Sequence, residues 1–301
     1  MVRFLIRRTI LLLLTLWVSS VIIFGLTQLL PGDIALLVKG RDASEAVIQE
    51  FRETHGLDQP PVTQYITWLG GFVTGDWGRS YLDSSEVRPN VLRRLGNSLQ
   101  LAGLTLLIAV PLSIGLGIIA AVRQDSWVDG AVSIFSLAVV GLPEFVTGIV
   151  FLTIFAPDAG WPGWFRDNLL PALTATLVLL GYIARMTRAG VVEELRKPYV
   201  RTARLKGLST REVLFKHVLR NALLPTITVI AISVGWLIGG LVVIENVFNY
   251  QGLGLQLVLA VQRKNMPILL AISMIIVFFF AISNLIADVL YAMLNPRIRL
   301  G

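Results

Sequence analysis

The chain has 301 residues, 55% of them hydrophobic and only 15% charged, with a formal charge of +7, whereas soluble domains hold about 25% charged residues. It has no cysteine and two histidines, His55 and His217, which excludes disulfides and thiolate chemistry and argues against a histidine-built metal centre. The apolar residues come in long blocks, so lipid is the expected solvent, and the positive charge reads as the Lys and Arg excess of cytoplasmic loops, not as a nucleic-acid footprint.

A helix needs about 20 apolar residues to cross the hydrocarbon. Six stretches meet that length: Ile10 to Leu30, Ser98 to Val122, Ala131 to Phe155, Leu170 to Ala189, Leu224 to Ile244 and Ile268 to Met293. The expected fold is an all-α polytopic membrane protein with six transmembrane helices in one domain, 1–301. Arg3, Arg7 and Arg8 precede the first run as in a signal peptide. That run is too long for one, and Leu30-Pro31-Gly32-Asp33 offers no small-residue cleavage pattern, so an uncleaved span (1–30) is expected.

Residues 31–97 are too many for a simple connection. Ser44 is a candidate N-cap for a short helix from Ala43 to Thr54, and Gly56 is its stop signal. A second helix is expected from Val62 to Phe72, after the turn Gln59-Pro60-Pro61. The segment reads as a small extracytoplasmic helical cap. The core then runs over 98–301.

In the third apolar stretch Glu144 stands beside Pro143. An ionised carboxylate near the bilayer centre costs about 2.5–3.5 kcal/mol on insertion scales. Glu144 is therefore a translocation-pathway candidate. The alternatives are a carboxylate bonding a neighbouring helix, or one facing backbone freed by the proline. Glu245 and Asp288 lie near span ends, where an interfacial structural role is expected. Gly115 and Gly117 in span two, and Gly235, Gly239 and Gly240 in span five, suggest close helix packing.

Ten Lys and Arg lie between Arg185 and Arg220, against Arg166, Arg263 and Lys264 in the opposite loops, and the tail adds Arg297 and Arg299. The positive-inside rule then puts both termini and the loop 190–222 in the cytoplasm. Pro198 can occupy the first turn of a helix over Tyr199 to Lys206, with Gly207 as its C′ stop. Ser209-Thr210-Arg211-Glu212 is a capping box. Val213, Leu214, Val218, Leu219 and Ala222 give the following helix an apolar face, to about Ala222. Such a pair of hinged helices reads as a docking element for a cytoplasmic partner. The plainer reading is a solvated loop whose charges only set topology.

The stretch Tyr199-Val-Arg-Thr-Ala-Arg-Leu-Lys-Gly-Leu-Ser209, followed by His217-Val-Leu-Arg-Asn-Ala-Leu-Leu-Pro225, resembles the EAA-type loop of ABC importer permeases of the dipeptide, oligopeptide and nickel family. Leu30-Pro-Gly-Asp33, Gly56-Leu-Asp-Gln-Pro60, Gln64-Tyr65 and Gly75-Asp-Trp-Gly-Arg-Ser80 resemble that family's outer segment. Glu245-Asn-Val-Phe248, Gly252-Leu-Gly254 and Asn295-Pro-Arg-Ile-Arg299 are similar to its closing motifs. The departures are Ile34 where Pro is frequent, Tyr250-Gln251 where Trp-Pro is frequent, and Asn265 and Asn295 where Asp is common.

The resemblance implies a type I importer permease in a bacterial cytoplasmic (inner) membrane, moving peptides or a related small solute. It implies an ATPase-coupling loop of Tyr199, Val200, Arg201, Thr202, Ala203, Arg204, Lys206, Gly207 and Leu208. It also implies a second homologous permease, two ATP-binding cassette subunits and an extracytoplasmic substrate-binding protein. The chain has no G-x-x-x-x-G-K-[ST] phosphate loop, so no cofactor is expected in it; ATP and Mg would bind the partner ATPases. No catalytic and no metal residue is expected. An ion-coupled secondary carrier is the alternative, but no internal repeat supports it. An intramembrane enzyme lacks its motifs, since there is no H-E-x-x-H and no G-x-S-x-G.

Overall fold

The computed structural model describes residues 2–29, 33–40, 42–156 and 160–294. Leu30-Pro31-Gly32 of the first family-like motif and Asn295-Pro-Arg-Ile-Arg299 of the last lie outside the described residues. The regular structure of the described residues is helical, apart from one isolated bridge between Arg79 and Glu86. The chain divides into two compact units: Met1–Ser98 with Gln251–Ile282, and Leu99–Tyr250 with Ser283–Gly301.

The first unit opens with α1 (Val2–Gln28), followed by the short helices α2 (Ile34–Lys39), α3 (Glu45–Thr54) and α4 (Pro61–Thr74). Both short helices expected in this region form. Ser44 precedes α3 as expected, but its side chain makes no capping bond. The stop at Gly56 is a Schellman turn: φ is +62°, Gly56 N–H donates to Glu53 O at 3.2 Å and Leu57 N–H to Arg52 O at 2.8 Å. Asp33 caps α2 through the Ala35 N–H at 2.9 Å and also accepts from Arg52 of α3, which ties the two helices together. Ala35, Ile48 and Phe51 form their shared core. His55 is half-buried, with ring centroids 4.1 Å from Phe51 and 4.8 Å from Tyr81. Burial pushes the Tyr81 phenol up to about 12.

An aromatic ladder joins α1 to α4: Phe24 stacks on Trp68 at 5.7 Å, and Ser20 Oγ lies 2.8 Å from Tyr65 Oη. The motif Gly75 to Ser80 has a structural task. Trp77 stacks on Phe72 at 5.2 Å and donates its indole N–H to Phe72 O at 3.1 Å. Ser80, 3% exposed, accepts from Asn265 Nδ2 at 2.8 Å. Asn265 thus serves as donor to Ser80 and as acceptor from Tyr81 N–H at 3.3 Å. A carboxylate there could only accept.

Helix α5 (Val87–Val122) has 36 residues, about 54 Å at 1.5 Å per residue. It begins eleven residues before Ser98, the boundary that hydropathy suggested. Arg88, Arg93, Arg94 and Asn97 end the apolar run in sequence without ending the helix. Residues Leu253–Gln262 form α14, an apolar helix too short to register as a span in a hydropathy profile. It packs with Val87 and Val91 of α5 and with Ile268 and Ile272 of α15 (Met266–Leu294).

In the second unit, the third apolar stretch is not one straight helix. It breaks into α6 (Trp127–Gly141) and α7 (Glu144–Ile154), bent by 101°. Pro143 lacks an N–H and clashes with a helical predecessor, so Leu142 is extended (φ −84°, ψ 125°) and the hydrogen-bond ladder restarts at the proline. Among the described residues five helices are long and apolar enough to cross a membrane, or six with this bent pair taken as one span.

Helix α8 (Leu170–Leu195), preceded by the π-helical turn Phe165–Leu169, is the most buried element of this unit. Glycines set its close approaches. A Cβ at Gly181 would stand 2.6 Å from Ser136 O of α6, and one at Gly117 of α5 would stand 2.6 Å from Ala184 O of α8. Gly115, by contrast, faces open space. Arg188 of α8 grips Asp129 at the start of α6 with two nitrogens, Nη2 lying 2.6 Å from Oδ2. Asp129 is 4% exposed, and a bidentate guanidinium–carboxylate pair suits such burial. The span from Leu224 to Val247 is built of α12 (Leu224–Gly240) and α13 (Val242–Val247). Glu245 lies in α13 and is buried within the protein, 1% exposed.

Candidate functional site: a docking helix on a buried rod

After α8 the chain turns at Arg196 and Lys197 and enters α9 (Pro198–Leu205), with Pro198 in its first turn as expected. Its end is a complete Schellman motif. Gly207 has φ +80°, Gly207 N–H donates to Arg204 O at 3.0 Å, and Leu208 N–H to Ala203 O at 3.4 Å. Ser209 then starts α10 (Thr210–Glu212), its Oγ accepting from Glu212 N–H at 3.3 Å. Lys216, and secondarily Ser209, hold the Glu212 carboxyl below the ordinary carboxylate range.

The helical path continues through a π-helical turn, Val213–Val218, into α11 (Leu219–Ala222) and then α12. Residues 210–222 thus form a short rod in line with a membrane span. Its apolar face is the expected one: Val213, Leu214, Val218, Leu219 and Ala222 are all buried, together with Ala121, Val191, Val200 and Ala203. Rod and α8 press together at Gly190, where a Cβ would stand 2.4 Å from Ala222 O.

This packing sorts the loop residues into two groups. Val200 (1% exposed) and Ala203 (8%) point inward and anchor α9, and Leu208 packs half-buried against the same cluster. Burying a valine contributes about 1.5 kcal/mol or more, enough to hold a short helix in place. Arg201, Thr202, Arg204, Lys206 and Gly207 face solvent, and Tyr199 is at the rim. Leu205, which no sequence motif singles out, is 80% exposed among these cations. An exposed leucine on a capped, anchored helix is the signal that could have marked it.

Glu194 is a second residue that sequence reasoning missed. Only 7% exposed, it accepts from Tyr199 Oη at 2.6 Å and from Lys197. The bond to Glu194 holds the Lys197 ammonium above its ordinary range. Burial, then that same carboxylate, raises the Tyr199 phenol. One buried carboxylate therefore pins the start of α9 to the end of α8. His217 lies exposed on the rod. Among the described residues no group of His, Asp and Glu is arranged to hold a metal ion.

Glu144, the other candidate, is the first residue of α7, at the elbow of the broken span. It borders a cavity of about 360 Å³ between α6, α8 and the α12–α13 span. The structure does not bring it near the loop residues; it is a separate locus.

A bundle of apolar helices with an anchored, solvent-facing basic helix defines a multi-pass membrane protein. Residues 113–300 match the family described as binding-protein-dependent transport system inner membrane component, and residues 1–102 match its N-terminal counterpart. The chain is 36% identical over 305 residues to the glutathione transport system permease protein GsiC of Escherichia coli (strain K12), covering 99% of both chains. It is 37% identical over 295 residues, 94% of each chain, to a protein of Brucella abortus (strain 2308) provisionally named a peptide transport system permease. In fold it is similar to a crystal structure of an amino acid ABC transporter with histidines, with a TM-score of 0.53 and 15% identity, over 69% of this chain and 94% of that one.

The chain belongs to the binding-protein-dependent inner membrane permeases, in the dipeptide and oligopeptide branch of the ABC importers. It is a non-catalytic permease subunit of the inner membrane, a member of a system that includes ATPase and binding-protein components.

Proposed function

We propose that this chain forms one half of a pore that imports peptides or closely related small solutes. The other half is a second homologous permease. Two ATPase subunits bind ATP and Mg, and an extracytoplasmic protein delivers the cargo. The peptide assignment rests on the similarity to the relatives above. The orientation, with both termini and 190–222 cytoplasmic, rests on the concentration of Lys and Arg between Arg185 and Arg220. The chain acts as a single permease domain, with 31–97 as its outer cap.

The observation that carries the coupling role is α9 itself: a basic helix with Leu205 fully presented, anchored underneath by Val200 and Ala203. In this reading Arg201, Arg204 and Lys206 steer it to an acidic groove of an ATPase, and Leu205 fills the groove. When the ATPases close on ATP, α9 moves as a rigid piece. The Glu194 pin passes the displacement to α8, and the Gly207 corner and the rod pass it to α12. Because Gly190 lies against Ala222, α8 and α12 shift together. Glu144 at the elbow of α6 and α7 borders the path that these helices open.

The chain has no cysteine, which makes the test direct. In the assembled importer, Leu205→Cys should form a crosslink to an ATPase subunit with a short bifunctional reagent, and the buried Val200→Cys should not. No adduct from Leu205→Cys, or equal adducts from both, would overturn the docking assignment.

A further inference from the structure

The elbow at Leu142 and Pro143 borders an open cavity of about 360 Å³ whose lining is apolar apart from the Glu144 carboxylate, the Tyr182 phenol and the Trp236 indole N–H. Trp236, Phe145, Val139 and Val243 supply most of the remaining wall. Glu144 is half-buried, and among the described residues it has neither a hydrogen bond nor an ion pair. The contrast within the same unit is sharp. Asp129, buried against α8, and Glu194, buried at its end, are each held by a cation and further donors. A carboxylate facing an apolar membrane cavity without a counter-charge is costly. Among the described residues no cation stands against Glu144, so a cationic group arriving from outside the chain would find an unmatched carboxyl here.

The aromatic groups are built into position. Trp236 of α12 is 37% exposed, and its indole lies across Gly240, where a Cβ would stand 2.8 Å from the ring. The missing side chain at Gly240 is what lets the indole lie flat along the helix. Tyr182 follows Gly181, whose lack of a side chain sets the tight crossing of α8 over α6, and 53% of it is exposed. A carboxylate beside an indole and a phenol is the chemistry that receives an ammonium group, through an ion pair on one side and cation–π contact on the other. A cargo carboxylate would meet like charge here.

We propose that the elbow cavity is a transit site for the protonated amino group of the cargo, with Glu144 as its counter-ion and Trp236 and Tyr182 as its aromatic wall. This rests on the importer reading above and adds a charge preference within the membrane, separate from that of the binding protein. The same site disfavours a solute whose amine is acylated.

The test uses the complete importer in lipid nanodiscs and reads Glu144 directly. Dicyclohexylcarbodiimide reacts with carboxyls in apolar surroundings, and peptide mass spectrometry measures its rate of addition at Glu144. Trialanine at about ten times its half-protecting concentration should slow that addition about tenfold, and N-acetyl-trialanine at the same concentration should leave it unchanged. Equal slowing by both peptides, or by neither, would overturn the amine site. Glu144→Asp, labelled at the same position, should still be protected by trialanine, and loss of that protection would count against the assignment. Failure of the importer reading has a different signature: wild-type complex in proteoliposomes would show no ATP-dependent peptide uptake. The labelling pattern decides the amine site whichever way that uptake falls.

Discussion

Replacing Gly207 tests the corner between docking helix and rod with a magnitude set by geometry. Its φ of +80° is a left-handed conformation, and nothing lies within 4 Å of a Cβ built there. The cost of a side chain is therefore torsional and not steric. For alanine it is about 1 kcal/mol; for a β-branched valine, the worst case in this region, it is about 2–3 kcal/mol. Asparagine tolerates the conformation and should be close to neutral. At about 1.4 kcal/mol per tenfold, Gly207→Val should lower the equilibrium constant for the native corner by about thirtyfold or more. The assay is ATP-driven uptake per ATP hydrolysed by the importer in proteoliposomes. The ratio should order as Gly, Asn, Ala, Val, with the ATPase rate itself less affected. Full coupling in Gly207→Val, or equal damage from Asn and Val, would refute the torsional account.

Three further outcomes are expected. Leu205→Asp should leave the melting temperature of the purified chain within about 2 °C, because the residue is 80% exposed and surface changes cost within about 0.5 kcal/mol; it should still lower ATPase retention on an affinity column about tenfold or more, the loss of an interface anchor. Gly190→Leu should destabilise the chain by about 1–3 kcal/mol, because even its Cβ would stand 2.4 Å from Ala222 O; a thermal melt in detergent that does not move would contradict the packing. In the helical segment 33–74, Arg52 holds the Asp33 carboxyl below its ordinary value of 3.8. A lowered folded value means that this stabilisation is complete above the unfolded value and is lost as pH falls through the folded one. Hydrogen exchange across Glu45–Thr54, corrected for its intrinsic rate, should therefore be flat from pH 7 to about 4 and rise only below. Asp33→Asn should be faster throughout, and an onset near pH 6 in the parent would argue against the pair.

Forces that act within a few residues leave a trace in the sequence, and those that act across the fold do not. Caps leave one: Gly56 and Gly207 each end a helix with φ positive, and Ser209 begins one, because each satisfies backbone groups close by in the chain. Buried faces do as well, as Val213 to Ala222 show. Hydropathy misplaces the start of α5 because Arg88, Arg93 and Arg94 interrupt the apolar run, while helix formation depends on backbone bonds that those side chains do not disturb. The break at Pro143 is visible as a proline, but a hydropathy profile has length and no direction, so 101° of bend is out of its reach. Leu205 and Glu194 escape it for a related reason. Their meaning lies in exposure and in a partner, and neither is a property of the residue alone.

The spacing on the rod carries a further consequence. Val213 with Val218, and Leu214 with Leu219, are five residues apart, the reach of a π-type hydrogen bond such as Leu219 N–H to Leu214 O. Each extra residue in a helix rotates the next turn by about 100°. The π turn thus works as a phase shifter between the capped start of the rod and the membrane helix that continues it. Removing a single residue between Val213 and Val218 would restore ordinary winding and swing Leu219 and Ala222 about a quarter-turn away from Gly190. The chain would keep its composition and its helices, yet the two shafts would no longer mesh.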